Sequence, residues 1–306
     1  MKRLSRLLLA VVLLTSRSVW THGLEVVGMP SQAILVDEVL RQQGGGEVEK
    51  LAKYVASTTV RVELEVLARD RTGQVILEPR DLLPATDTVF CSGTIAAKRR
   101  IVLAAHCFEG ELAYGVFRYP VTIYFGANFD RAGESGLVRS MVDYAIQVEY
   151  VRSSHRGNDA AVIELDRDIP SGCYAATPVN SLEDLQDDAS NLKVYLAGTG
   201  ATRKGDRPDS MTRFAEVGIR NGIMSIRRDQ DVLVTVPVSN SRRDRTASCG
   251  GDSGGQLFAV MRNEIRWVGT NVSGDCANWS VSTVMTADRL KALEQALTDK
   301  KPAIGE

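Results

Sequence analysis

The sequence predicts an all-β protein, a sandwich or a barrel, ended by a single helix. Two observations carry the strands. Thr59-Val60-Arg61-Val62-Glu63-Leu64-Glu65-Val66 alternates polar and apolar residues with period two, the pattern of a half-buried strand. Short β-rich runs then recur along the chain, separated by Gly, Asn, Asp and Pro clusters and without any repeat period. A third observation carries the helix. Behind Thr286, a residue suited to cap a helix, Leu290, Leu293 and Leu297 fall three or four apart on one face.

The chain has 306 residues, enough for one large domain or two small ones with a buried core. Its apolar fraction of 44% and charged fraction of 25% are ordinary for a soluble globular protein. The formal net charge of −1 gives no global attraction to nucleic acid or to an anionic membrane.

Taken in order, residues 1–18 read as a signal peptide, which implies a secreted (extracellular or periplasmic) protein. Lys2, Arg3 and Arg6 form a basic start, and Leu7 to Leu14 form an apolar run. That run is shorter than the roughly 20 residues a membrane span needs, so no stable membrane anchor is expected. Ser16 and Ser18 are small residues suited to a cut before Val19; a buried N-terminal helix is the alternative. Residues 19–54 read as a pro-segment or N-terminal extension, with Gln42-Gln43-Gly44-Gly45-Gly46 as a break before a charged, helix-compatible piece from Glu47 to Tyr54. From about Ser57 the strand pattern begins. Runs follow at Ile101–Leu103, Val121–Phe125, Ala160–Leu165, Val194–Leu196, Asp231–Val236, Gly255–Val260 and Trp267–Gly269.

Cys249-Gly250-Gly251-Asp252-Ser253-Gly254-Gly255 is the most informative stretch. Glycine admits backbone angles that other residues resist. Such a turn can aim the N–H groups of Gly251 and Ser253 at one oxyanion while Ser253 Oγ attacks a carbonyl. Each donor of this kind is worth about 3–4 kcal/mol in a transition state. A serine hydroxyl is a weak nucleophile alone; it needs a base, and the base needs an orienting acid. His106 follows the strand Ile101–Leu103, and Asp159 opens the strand Ala160–Leu165. In this reading His106 takes the proton from Ser253, and Asp159 fixes the imidazole tautomer. Each residue alone has a plain structural alternative: a glycine turn, a core histidine, a turn aspartate. The order His, Asp, Ser within an all-β chain joins them.

On these residues the chain resembles the trypsin-like (chymotrypsin-type) serine proteases. Leu103-Ala104-Ala105-His106-Cys107 is similar to that family's histidine motif, Asn158 to Leu165 to its aspartate strand, and Gly251 to Gly255 to its serine motif. Ala197-Gly198-Thr199-Gly200-Ala201-Thr202 is similar to a fourth family segment, with Thr199 in place of a tryptophan. The resemblance implies two antiparallel six-stranded β-barrels, about 55–175 and 176–285, with the active site between them and a C-terminal helix, 286–298. It implies the disulfides Cys91–Cys107 and Cys249–Cys276; Cys173 is left over and reads as a buried free thiol, with a reactive or intermolecular role as the alternative. It implies protein or peptide substrates, and activation by another protease.

Three departures stand out. Family members that prefer Lys or Arg carry an aspartate where this chain has Ala247, and Ser273 aligns with a glycine at the pocket mouth. Ala247, Ser248, Asn271 and Ser273 are the candidate substrate-binding residues, with Thr283 as a further wall position. They point to a small or medium uncharged side chain. No activation sequence of the family type is present. Val26-Val27-Gly28 is the nearest match, but lies too far before Cys91 unless an insertion intervenes, for which Arg69 to Phe90 is the candidate; a cut at Arg61-Val62 would sever a strand. Asp252 is expected to need a cationic partner. Gln256 replaces a common proline, with little expected effect. The basic loop Arg242-Arg243-Asp244-Arg245 and His155 read as solvated loop residues.

The expectation is a serine endopeptidase with catalytic His106, Asp159 and Ser253, an oxyanion hole from Gly251 and Ser253, and a monomer as the default. No cofactor is expected. The five cysteines form no CxxC pair and the three histidines are scattered, so the pattern supports a zinc site only weakly. A non-catalytic homologue that binds a protein partner is the alternative. A lipase-type elbow fits less well, because it needs Gly-x-Ser-x-Gly and a histidine last in chain order.

Overall fold

The structure is a computed structural model that describes residues 33–42, 45–67, 86–108, 121–127, 138–146, 158–181, 183–187, 192–209, 211–227, 230–238 and 247–299. The signal stretch, Val26-Val27-Gly28, His155 and the loop Arg242 to Arg245 lie outside those residues.

Two closed six-stranded antiparallel barrels make up the molecule. The first holds β2 (Thr59–Leu67), β3 (Thr86–Ala97), β4 (Arg100–Leu103), β5 (Val121–Phe125), β6 (Val138–Ile146) and β7 (Ala161–Leu165). Its order is β2-β3-β4-β7-β6-β5, and pairing of Val60 with Phe125 closes it. Alternation explains the barrel: Val60, Val62 and Leu64 of β2, Val121, Ile123 and Phe125 of β5, and Ala161, Ile163 and Leu165 of β7 share one buried cluster.

The second barrel holds β8 (Lys193–Gly198), β9 (Arg213–Arg227), β10 (Gln230–Pro237), β11 (Gln256–Met261), β12 (Glu264–Gly274) and β13 (Ser280–Val284). Its order is β9-β10-β13-β12-β11-β8, closed by the pairing of β8 with β9. Val194, Leu196, Leu233, Leu257, Val268 and Val284 fill it. A two-residue strand, β1 (Ile34–Leu35), adds to β9 through Ile34 opposite Phe214.

A third apolar cluster lies outside the barrels and draws on both. α4 (Ala287–Asp299) contributes Leu290, Leu293 and Leu297, and Thr286 Oγ1 accepts the Arg289 N–H at its start. α1 (Val36–Gln42) and α2 (Glu47–Thr58) contribute Val36, Val39, Leu51, Ala52, Tyr54 and Val55, packed with Phe214, Phe258 and Trp267. The helices therefore cover the flank of the barrels with their apolar faces. α3 (Glu183–Asp187) is a single short turn.

Thr86–Phe90, the end of the Arg69 to Phe90 stretch in which an insertion is expected, belongs to β3, and residues 68–85 lie outside the described residues; α1 and α2 fill the path between β1 and β2. Gln256 is more than a neutral replacement for proline. It is fully buried, donates through Nε2 to Tyr54 Oη at 2.8 Å, and lies 3.2 Å from Thr58 Oγ1 through Oε1. A buried amide needs such partners, and α2 supplies them.

Candidate active site

Each site residue stands at the end of a strand. His106 lies in the 3-10 turn Ala105–Phe108, directly after β4. Asp159 lies just before β7, beside fully buried Asn158. Ser253 lies in the glycine turn before β11. Since β4 and β7 are paired, Leu103 opposite Ala161, the histidine and the aspartate emerge side by side from one barrel. The serine comes from the other.

His106 Nδ1 lies 2.7 Å from Asp159 Oδ2, and His106 Nε2 lies 2.8 Å from Ser253 Oγ. The His106 backbone N–H donates to Asp159 Oδ1 at 2.9 Å, so both carboxylate oxygens are used. Asp159 is 4% exposed. With the carboxylate accepting from Nδ1–H, Nε2 is left as the acceptor facing the serine hydroxyl.

The turn before β11 is held from several sides. The Ser92 N–H donates to Ser253 O at 2.8 Å, and Ser92 Oγ donates to Gly251 O at 2.8 Å. Ser92 Oγ also accepts the Thr199 N–H and meets Thr199 Oγ1 at 2.9 Å, which gives the residue replacing the family tryptophan a polar partner. Gly251 has φ +92° and Gly254 has φ +87°; a Cβ on Gly254 would come within 2.1 Å of Ser92 O, so glycine is required there.

Two peptide planes aim the candidate oxyanion donors. Gly250 O accepts the Ala201 N–H at 2.7 Å, so the N–H of Gly251, on the opposite edge of the same trans peptide, points away from Ala201. Asp252 O accepts the Gly255 N–H at 2.8 Å and Asn271 Nδ2 at 3.1 Å, which turns the Ser253 N–H the other way. Neither N–H meets an acceptor among the described residues.

Asp252 turns its carboxylate inward. Oδ1 accepts the Gly200 N–H at 2.8 Å and Oδ2 the Cys249 N–H at 2.9 Å. It lines a cavity of about 50 Å³ together with Ala33, Gly198, Gly200, Arg213, Phe214 and Ala247. Burial pushes its pKa up to about 6, against the pull of the two N–H donors and the Arg213 charge.

The candidate pocket residues separate. Ser248 and Asn271 are each 1% exposed. Ser248 Oγ donates to Ser273 O at 2.9 Å, and the Ser248 N–H donates to Ser280 Oγ at 2.7 Å. A Cβ on Gly274 would meet Ser248 Oγ at 2.1 Å, so the two walls stand close. Thr283 is buried in β13 opposite Thr270 and Val232, away from Ser248, and Ser280 stands against Ser248 instead. Nothing in Trp279-Ser280-Val281-Ser282-Thr283 marks Ser280 by sequence alone. Asp275 caps its own turn: burial acts to raise its pKa, but the N–H groups of Asn278, Ala277 and Trp279 hold it down at about 2.

Cys91–Cys107 and Cys249–Cys276 are disulfides, which tie the histidine turn to β3 and the serine turn to the end of β12. Cys173 is a free thiol, and burial raises its pKa. Among the described residues no helix is long and apolar enough to cross a membrane.

With this geometry in view, the likeness to known proteins becomes informative. The chain is 26% identical to a protein named "Venom protease" from Bombus pensylvanicus, over 61% of this chain and 76% of that protein. It is 30% identical to "Trypsin, alkaline C" from Manduca sexta, over 55% of this chain and 64% of the relative, short of two thirds of its length. It is 23% identical to "Trypsin zeta" from Drosophila erecta, over 58% of this chain and 63% of the relative. The sequence profile of the trypsin family matches residues 74–287, more than half of the chain, and the chain belongs to that trypsin-like serine protease family.

Proposed function

We propose that this protein is a secreted serine endopeptidase that cleaves peptide bonds through an acyl-enzyme on Ser253. One observation carries the reading: the continuous line from Asp159 through His106 to Ser253 Oγ, at 2.7 and 2.8 Å. His106 Nε2 accepts the serine proton as Oγ attacks the scissile carbonyl. The Gly251 and Ser253 N–H groups receive the oxyanion. His106 then gives its proton to the leaving amine, and water, deprotonated by the same imidazole, releases the acid product. Asp159 holds the imidazole in place and stabilises the imidazolium.

The substrate is a protein or peptide with a small, uncharged side chain before the cut. Ala247, Ser248, Ser273 and Ser280 bring no charge, and the Ser248–Ser273 and Ser248–Ser280 hydrogen bonds narrow the space between the walls. Residues 1–18 act as the export signal, and an activating protease cuts upstream of Ala33. The burial of Val36, Val39, Leu51 and Val55 supports keeping α1 and α2 in the mature enzyme.

A peptide library varied at the position before the cut tests the reading, with Ser253→Ala as control. Cleavage after Ala, Ser, Thr or Val by the wild type alone is the expected result. Cleavage that persists in Ser253→Ala would remove Ser253 from the mechanism.

A further inference from the structure

We infer that Asp209 is a positioning residue for the oxyanion turn, acting through a clamp on the loop between β8 and β9. This inference rests on the serine peptidase reading. Asp209 holds two arginines from different barrels. Arg213, in β9, makes a bidentate pair with its carboxylate, Nη1 to Oδ1 at 2.7 Å and Nη2 to Oδ2. Arg61, in β2, donates through Nη1 to its backbone carbonyl at 2.9 Å. The arginine side chains are only 9% and 8% exposed. Arg61 is further fixed by Glu63 at 2.9 Å and by the Phe90 ring, 4.5 Å from its guanidinium carbon. A bidentate Arg–carboxylate pair has fixed geometry, so the loop backbone at Asp209 is held against both barrels.

What this loop touches is the oxyanion turn. Pro208, next to Asp209, packs so closely on Gly251 that a Cβ there would come within 2.6 Å of its Cγ, and within 3.0 Å of Gly200 Cα. From the other end of the loop, the Ala201 N–H holds Gly250 O, and the Gly200 N–H holds Asp252 Oδ1. The loop thus fixes the peptide plane that aims the Gly251 N–H, and Asp209 fixes the loop. Releasing the clamp lets that plane rotate. The cost falls on the transition state, where the oxyanion develops, more than on ground-state binding.

The test uses the processed full chain of wild type, Asp209→Asn and Asp209→Glu. For each, kcat and KM on one peptide, the rate of labelling by a fluorophosphonate, and amide hydrogen exchange in the segment 249–255 are measured. Asp209→Asn is expected to lower kcat and the labelling rate on the order of tenfold, since small misplacements of reacting groups cost that much or more. KM stays within about twofold, exchange rises in 249–255 while β11 and β12 stay protected, and Asp209→Glu recovers most of the rate. Asp209→Asn labelling within about twofold of wild type overturns the inference. So does a loss of rate with exchange raised across the whole second barrel, which is plain destabilisation. A wild type that never labels overturns the peptidase reading together with this one, whereas a labelling wild type with an equally fast Asp209→Asn overturns this one alone.

Discussion

His106 engages both oxygens of Asp159: its ring Nδ1 lies 2.7 Å from Oδ2, and its backbone N–H donates to Oδ1 at 2.9 Å. The aspartate therefore sets the position of the turn as well as the orientation of the ring. Asp159→Asn keeps the shape, but its NH2 group can donate to Nδ1 and turn the imidazole to the wrong tautomer. We expect kcat to fall by about 10⁴ at neutral pH with little change in Tm. A loss of less than tenfold would mean that the carboxylate does not carry this role.

Asp252 makes stability depend on pH. Its carboxyl binds a proton more tightly in the folded state, with a pKa of about 6, than in the unfolded chain. The stability it contributes is present in full below the unfolded value near 4 and is lost as pH rises through about 6. The loss amounts to roughly 3 kcal/mol at most. Before processing, Asp252→Asn should match wild type in Tm at pH 4 and exceed it at pH 7.5. A mutant advantage independent of pH would show that ionisation of Asp252 is not the cause. The proposed activation pairs Asp252 with a cationic partner in the processed enzyme, so the same mutation should lower activity there.

Gln256 ties the serine strand to α2. Gln256→Leu leaves Tyr54 Oη without its buried donor and removes the contact to Thr58. The expected cost is about 1–3 kcal/mol in urea unfolding, with m unchanged. Its double mutant with Tyr54→Phe should cost less than the two single losses added together. Strict additivity would contradict the link between α2 and β11.

The candidate site was legible because the proposed chemistry demands rare residues: four glycines around one serine, and a histidine between Ala105 and Cys107. Strands with clean alternation, such as Val60 to Leu64, were legible for a similar reason. Four barrel strands were not, each for a local cause. β13 reads Ser-Val-Ser-Thr-Val, yet every residue of it is buried, so no polar face marks it. β9 carries Gly218 and Gly222 and runs 15 residues past a register shift, which hides its period. β3 begins inside the polar stretch that read as an insertion, and β6 is interrupted by a bulge near Asp143. The place of α1 and α2 is set by contacts with Phe214, Phe258 and Trp267, distant in sequence, and no local pattern encodes that.

Ser280 stands against Ser248 in the proposed pocket. Ser280→Gly removes the hydroxyl that accepts the Ser248 N–H and opens space beside it. Cleavage after Leu or Phe should rise relative to Ala by about 10-fold or more, in line with 1–3 kcal/mol for a methylene-scale change. An unchanged preference would place the specificity elsewhere.

The most direct measurement is the site of covalent labelling. Processed wild type and Ser253→Ala are treated with a fluorophosphonate, digested, and the adduct located by mass spectrometry. One adduct is expected, on Ser253, in wild type only, and it should be lost when His106 is changed to Ala. A folded, processed wild type that takes no adduct would contradict this expectation and favour a partner-binding role, and an adduct on any other residue would contradict it equally.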